Sequence, residues 1–250
     1  REIYWSGSEM KKLKGFSLIE TLVAMVIGAI SIAAISYSYI YFNSSYQKIA
    51  DKAQMSNAGR YSLQVISRDL RNAGYKNMNY DKTWDRWIEK TDSYDGTKGD
   101  RLRIWYNTSA TDRIEIQYYL EKNNSGETYL VRDVYENPEF NKKRANCERY
   151  DQQTGCAPIT IVENATDFQV FFNDKNGNRV NDVNISSTVN QNKVHTAEVY
   201  ITVRSPKELL KNPISFEMLN GGTSGQFTKS DRYLRETFYI SVYLRNVVKS

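Results

Sequence analysis

Residues that carry catalysis are scarce in this sequence. Histidine occurs once, at His195, and cysteine twice, at Cys147 and Cys156, in 250 residues. A serine or cysteine triad would have to be built on His195, which opens a strand pattern, where an edge position accounts for it. A zinc site needs more ligands at tighter spacing than two cysteines and one distant histidine supply. No Gly-x-Ser-x-Gly elbow, His-Glu-x-x-His pair or phosphate-binding loop is present. The carboxylates are scattered along strand patterns, where they are ordinarily solvated. The chain therefore reads as non-enzymatic, with no cofactor.

Strong charge of one sign is also missing. The 34 basic and 29 acidic residues leave +5. Residues 1–15 hold four bases against two acids, so only +3 is spread over the remainder. No basic run is interleaved with aromatics, and a nucleic-acid surface is not indicated. The Asn-x-Ser/Thr sites at Asn107 and Asn164 carry meaning only if the host glycosylates such sites, and none if it is a bacterium.

The most informative absences are local. From Thr21 to Gln47 there is no charged residue, and from Phe16 to Ala73 no proline. About 20 apolar residues span a bilayer as a helix at ~1.5 Å per residue. Lys11, Lys12 and Lys14 precede the run, so the positive-inside bias keeps them in the cytoplasm and sends the rest outward. Glu20 fits no ordinary anchor. A charge near membrane depth costs a few kcal/mol and wants a partner, yet no base follows before Lys48. A cut between Gly15 and Phe16 would create an ammonium within one helical turn of Glu20, on this chain or a neighbour. A signal peptide wants a small-residue cleavage site after its apolar run, and a plain anchor leaves Glu20 unexplained.

The run Lys14-Gly15-Phe16-Ser17-Leu18-Ile19-Glu20-Thr21-Leu22-Val23-Ala24 resembles the processing site of type IV pilins and type II secretion pseudopilins. The resemblance implies that a prepilin peptidase cuts after Gly15 and N-methylates Phe16, and that Glu20 is the acid that assists packing against the neighbouring subunit. It makes Met10 the expected true start, with a leader ending at Gly15. Its implied partners are other minor pilins, the major pilin, the peptidase and an inner-membrane assembly platform. The implied location is the bacterial inner membrane, single-pass with the head in the periplasm, and then a pilus or pseudopilus at the cell surface.

Beyond the apolar run, Tyr37 to Phe42 suits a membrane interface. Tyr46, Ile49, Ala53, Tyr61, Val65, Ile66, Leu70 and Ala73 then recur mostly three or four apart, with charges mostly between them. This predicts an amphipathic helix ending near a Gly74 C-cap. If continuous, the helix from Phe16 to Ala73 is about 87 Å long at ~1.5 Å per residue. Gly28 and Gly59 are either soft points or unremarkable helical glycines.

From 77 to 101 the pattern breaks down into a long loop with one short helix, in which Trp84, Trp87 and Tyr94 form a small satellite core or a contact surface. The period then switches to two. Strands are expected at 102–106, 113–120, 128–134, 159–162, 167–172, 196–203 and 236–244, with a hairpin turn at Asn123-Asn124-Ser125-Gly126. Such alternation implies an antiparallel sheet with one buried face. The expected class is α+β: a long N-terminal helix laid on that sheet, the type IV pilin-like fold. The expected organisation is a leader at 1–15, a membrane or filament-core helix at 16–42, its amphipathic half at 43–75, and a β-rich head at 76–250.

Two further sites are considered. Cys147 and Cys156 are close in sequence, and outside the cytoplasm such a pair forms a disulfide or stays as two thiols; closure is worth roughly 2–3 kcal/mol. Asp174, Asn176, Asn178 and Asp182 place oxygen ligands at alternating positions, a weak calcium-loop candidate. Arg179 stands where an EF-hand wants glycine and Ile185 where it wants the bidentate acid, and a turn rich in Asn and Gly explains the segment equally well.

Later segments add to the resemblance. The runs 68–75, 163–172, 203–206 and 244–246 resemble, in order, the minor pilins called PilW, and the J pseudopilin of type II secretion shares much of this plan. The implied function is pilus assembly at initiation or at the tip, supporting twitching motility, adhesion or DNA uptake. The alternatives are a secretion pseudopilin and a tip-borne binding module, the last pointing to Trp84–Tyr94 and to Gly221-Gly222-Thr223-Ser224-Gly225. The resemblance does not extend to the stretches 75–101 and 206–232.

Overall fold

The computed structural model describes residues 15–76, 86–92, 99–109, 112–136, 143–144, 158–180, 193–218 and 227–246. It forms two compact units, Arg1–Ile49 and Ala50–Ser250. One helix, α1 (Leu18–Asn72), contributes to both.

In the first unit α1 starts at Leu18 because Ser17 caps it. The Ser17 Oγ accepts the Glu20 N–H at 3.3 Å, and the Glu20 carboxylate accepts the Ser17 N–H at 2.8 Å. This is a capping box, satisfying two N-terminal donors reciprocally. Downstream, the hydroxyls of Ser31 and Ser44 donate back to the carbonyls of Ile27 and Tyr41, so polar side chains in the apolar run need no outside partner. The run is long and apolar enough to cross a membrane, with a mean hydropathy of 2.3 over 18 residues. Its side chains, from Leu18 through Ile40 to Phe42, are exposed.

In the second unit α1 buries Met55, Gly59, Ser62, Leu63, Ile66, Asp69 and Leu70, a three-and-four repeat. The buried face is turned from the expected stripe: Ile66, Leu70 and Ala73 are buried, but Ala53 and Tyr61 are exposed. Small residues set this rotation. A Cβ built on Gly59 would lie 2.2 Å from the Phe238 ring, so glycine admits the ring against the helix backbone. Gly59 is thus a close-packing site. Space around Gly28 is open. Beyond Asn72, Gly74 takes φ +74°, the left-handed C-cap conformation, and its N–H donates to the Trp105 carbonyl at 2.9 Å. Asn107 N–H then bonds the Tyr75 carbonyl at 3.0 Å.

Eleven strands are described, and all the pairings are antiparallel. β1 (Ile88–Thr91), β2 (Arg101–Asn107), β3 (Arg113–Lys122), β4 (Thr128–Glu136) and β5 (Lys143–Arg144) are bonded in that order, and β6 (Ile159–Glu163) also pairs with β4. Ile88, Ile104, Ile116 and Val134 share a register line. β7 (Ala165–Asn173), β8 (Thr196–Glu208) and β11 (Tyr233–Tyr243) form a second sheet with β8 central. β9 (Ile214–Met218) and β10 (Phe227–Asp231) pair separately. The β3–β4 hairpin turns on Gly126, φ +82°.

The one expected sheet is therefore three. The break falls at Asn164, whose φ of +57° ends β6 and starts β7 in a different sheet; asparagine tolerates this left-handed conformation better than most residues. β1, β5, β9 and β10 lie outside the expected strands. β1 occupies the stretch read as loop, where Ile88 is fully buried against β2 and Trp87 is buried beside it, joined to the main core. That core also contains Ile66 and Leu70 from the helix and Leu120, Phe168, Val199 and Ile201 from the sheets.

The opposite face of the first sheet is not left to solvent. Arg113, Glu115, Gln117, Asp133 and Glu89 are buried there. Arg103 lies 3.6 Å from both Glu89 and Glu115, and Gln117 donates to Glu115 at 2.6 Å. Alternating charge reads in sequence as a wet face, whereas here the charges are mutually paired. Burial raises the Glu89 carboxyl above its ordinary value, against the pull of Arg103.

Candidate functional site

The residues expected to be processed stand together at the start of α1. Phe16 is exposed, and nothing approaches the space beside Gly15. The capping box draws the Glu20 carboxylate back to the backbone nitrogen of Ser17, the residue bonded to Phe16. Within this chain Glu20 therefore has a local partner that charge counting alone misses. The signal was legible, since Ser17-Leu18-Ile19-Glu20 matches the Ser-x-x-Glu capping pattern. The leader, Lys11 to Lys14 and Met10 included, lies outside the described residues.

Farther along α1 a network ties the helix to the first sheet. Asp69 is buried, and its carboxylate accepts the Tyr118 hydroxyl and, at 2.7 Å, the Arg132 Nε–H; Arg132 also lies 3.2 Å from the Tyr118 oxygen. Burial, and then Asp69, raises the Tyr118 hydroxyl. Burial opposes the Arg132 charge, yet the bond to Asp69 leaves that guanidinium above its usual value. Removing one partner of a buried pair strands the other, so the arrangement fixes helix to sheet. Asp69 falls on the Ile66–Leu70–Ala73 face, and a charge on an apolar face is the one sequence signal that could have found it.

A third polar link joins the two larger sheets. Asp100 is buried, its N–H donating to the Phe168 carbonyl and its carboxylate accepting the Val170 N–H, both at 2.8 Å. Lys90 lies 3.4 Å from the carboxylate. Burial raises this carboxyl to about 7, outweighing Lys90.

The calcium-loop candidates form a tight turn. Asp174 accepts the N–H groups of Asn176 and Asn178 at 2.8 and 2.9 Å and the Asn178 side-chain amide at 3.2 Å, and Gly177 takes φ +84°. The bonds from Asn178 lead those that hold the Asp174 carboxyl below its ordinary value. Among the described residues no three or more His, Cys, Asp or Glu side chains gather as a metal site. Asp182 lies outside the described residues, as do Cys147, Cys156, Trp84, Tyr94 and the 221–225 loop. His195 precedes β8, its backbone bonded to Asn173 and Leu244.

The family defined by the prokaryotic N-terminal methylation motif matches residues 10–36. No curated protein matches the sequence. Among solved structures, a type IV-like pilin from Thermus thermophilus aligns with a TM-score of 0.50 at 14% identity, covering 78% of this chain and 97% of that one. At that identity the likeness concerns the fold. The chain thus carries the N-terminal methylation motif on a type IV pilin-like fold, a long N-terminal helix with antiparallel sheets, consistent with a pilus or pseudopilus component.

Proposed function

We propose that this protein is a minor pilin of the PilW kind, acting in the complex that starts a type IV pilus or sits at its tip. The observation that carries the reading is the start of α1: the methylation motif at residues 10–36 takes in most of an exposed apolar run, whose single carboxylate is held one residue from the Phe16 nitrogen. A prepilin peptidase cuts after Gly15, removing Lys11, Lys12 and Lys14 from the cytoplasmic side, and methylates Phe16. The new ammonium competes with the Ser17 N–H for Glu20, on the same chain or the next. A charge at membrane depth is costly when alone, so pairing it sets the stagger between neighbours. Residues 16–42 anchor the protein in the inner membrane and then pack in the filament core, while 43–75 join that segment to the periplasmic head at 76–250. In that oxidising compartment Cys147 and Cys156 form a disulfide. A head this large suits a tip better than a repeating shaft, and other minor pilins, the major pilin and the assembly platform are its partners. Tip placement also leaves the head able to serve adhesion or DNA uptake.

The motif is equally compatible with the minor pseudopilin of type II secretion. Deleting the gene in the host separates the readings. Loss of surface filaments and twitching with normal protein export supports the pilus assignment. Loss of export with filaments intact assigns the chain to secretion, and no change in either refutes both.

A further inference from the structure

We propose that the groove between the second half of α1 and the outer edge of β6 takes an extended, acidic peptide strand of a partner protein, added to the sheet beside β6. β6 bonds to β4, and among the described residues no strand pairs its other edge. The groove, about 980 Å³, is lined by Ile159, Thr160 and Ile161 in succession. Side chains alternate between faces along a strand except at a bulge. Ile161 is the extra residue of a bulge opposite Leu130 and Val131, so this wall presents the bulged edge of β6, with its backbone N–H and C=O groups. A smaller groove of about 390 Å³ continues along Thr160, Ile161, Glu163 and Asn164. The two grooves therefore follow β6 on either side of its bulge. Such an edge is a template for another strand, with main-chain bonds giving affinity and alternate side-chain pockets giving specificity.

Charge selects the occupant. The larger groove is lined by Arg60, Arg68, Arg71 and Arg132, and no carboxylate lines it. Arg132 is committed to buried Asp69, and Arg68 lies 3.7 Å from the same carboxylate. Arg60 and Arg71 have no ion-pair partner among the described residues. Four guanidinium groups against one carboxylate leave the larger groove positive, whereas Asp51 and Glu163 stand with Arg204 in the smaller one, so the acidic side chains of the peptide belong to the larger groove. Val65, Ile159 and Ile161 offer aliphatic contact between the charges. A strand alternating acidic with aliphatic side chains meets both demands. A nucleic acid would want stacking surfaces, and this groove offers one aromatic, Tyr61. Cleavage after Gly15 plays no part in the pairing, so the two readings fail separately.

The test uses the full chain in detergent micelles and the anisotropy of labelled nonapeptides. The probes are a peptide alternating glutamate with valine and threonine, its lysine counterpart, the acidic peptide N-methylated along one edge or the other, and a single-stranded oligothymidylate. The acidic peptide is expected to bind, with the lysine peptide and one of the two N-methylated versions each weaker by at least about tenfold. Arg60→Glu together with Arg71→Glu, both on the exposed side of the helix, should weaken acidic-peptide binding by about tenfold. No binding of the acidic peptide, equal binding of the lysine peptide, or full binding of both methylated versions overturns the proposal. Tighter binding of the oligothymidylate than of the acidic peptide also overturns it, making the groove a nucleic-acid surface.

Discussion

Gly59→Ala sets two opposing effects against each other at one atom. In a helix interior alanine is favoured over glycine by about 1 kcal/mol. The added Cβ, however, would stand 2.2 and 2.3 Å from Cδ2 and Cε2 of Phe238 and 2.6 Å from its Cγ. Non-bonded carbons prefer about 3.5–4.0 Å, so the ring must move by about an ångström. Phe238 is nearly buried on β11, opposite Ile201 of β8, and has little room to do so. Overpacking of this kind costs about 1–3 kcal/mol. The clash should outweigh the propensity, leaving a net loss of about 1 kcal/mol. Phe238→Ala alone should cost about 3–5 kcal/mol. In that background the methyl has space, and Gly59→Ala should turn stabilising by up to about 1 kcal/mol. The predicted signature is thus a reversal of sign, with about 2 kcal/mol of coupling in the double-mutant cycle. Urea unfolding of the full chain in detergent, followed by the fluorescence of buried Trp87 and Trp105, measures it. The packing argument is refuted if Gly59→Ala stabilises the wild-type background, or if its effect is the same with and without the Phe238 ring.

Asp69→Ala should destabilise the second unit by about 3–5 kcal/mol, since Arg132 and the Tyr118 hydroxyl lose their shared acceptor; a loss below ~1 kcal/mol in the same unfolding assay would contradict the anchoring role. Asp100, raised to about 7 from an ordinary 3.8, holds its proton more tightly in the fold than in the unfolded chain. Its contribution is therefore full below 3.8 and lost as pH rises through about 7. Asp100→Asn should flatten the decline of stability across that window, and superimposable pH profiles for the two proteins would disprove it. Glu20→Ala should still be cleaved after Gly15 but should enter filaments poorly, and an undiminished filament count by electron microscopy would argue against charge pairing at the helix start.

What could be read from the sequence was whatever depends on local pattern. The apolar run, the Gly74 cap, the β3–β4 hairpin and the seven principal strands follow from periodicity and turn chemistry, each visible within a few residues. The rotation of α1 was not visible, because it depends on Gly59 meeting a ring 179 positions away. Counting Tyr61 as apolar pulled the expected stripe toward solvent. The division into separate sheets turns on one left-handed asparagine, Asn164, which in sequence is only a polar residue between two β patterns. β1 escaped notice because four residues, Ile88–Thr91, are too few to establish a period. At the candidate site, Gly15, Phe16 and Glu20 are proposed from the motif. The capping partner of Glu20 was overlooked because an acid near membrane depth invited a search for a cation, when the nearest donor was a backbone N–H three residues back.

The claim on which the rest depends is that the leader is removed so that the apolar helix begins with a new amine beside Glu20. Mass spectrometry of the N-terminal peptide of the protein purified from its own cells tests this most directly. The predicted peptide begins at Phe16 and carries an N-methyl group. A functional protein that retains Lys11 to Gly15, with Phe16 unmodified inside the chain, would contradict it.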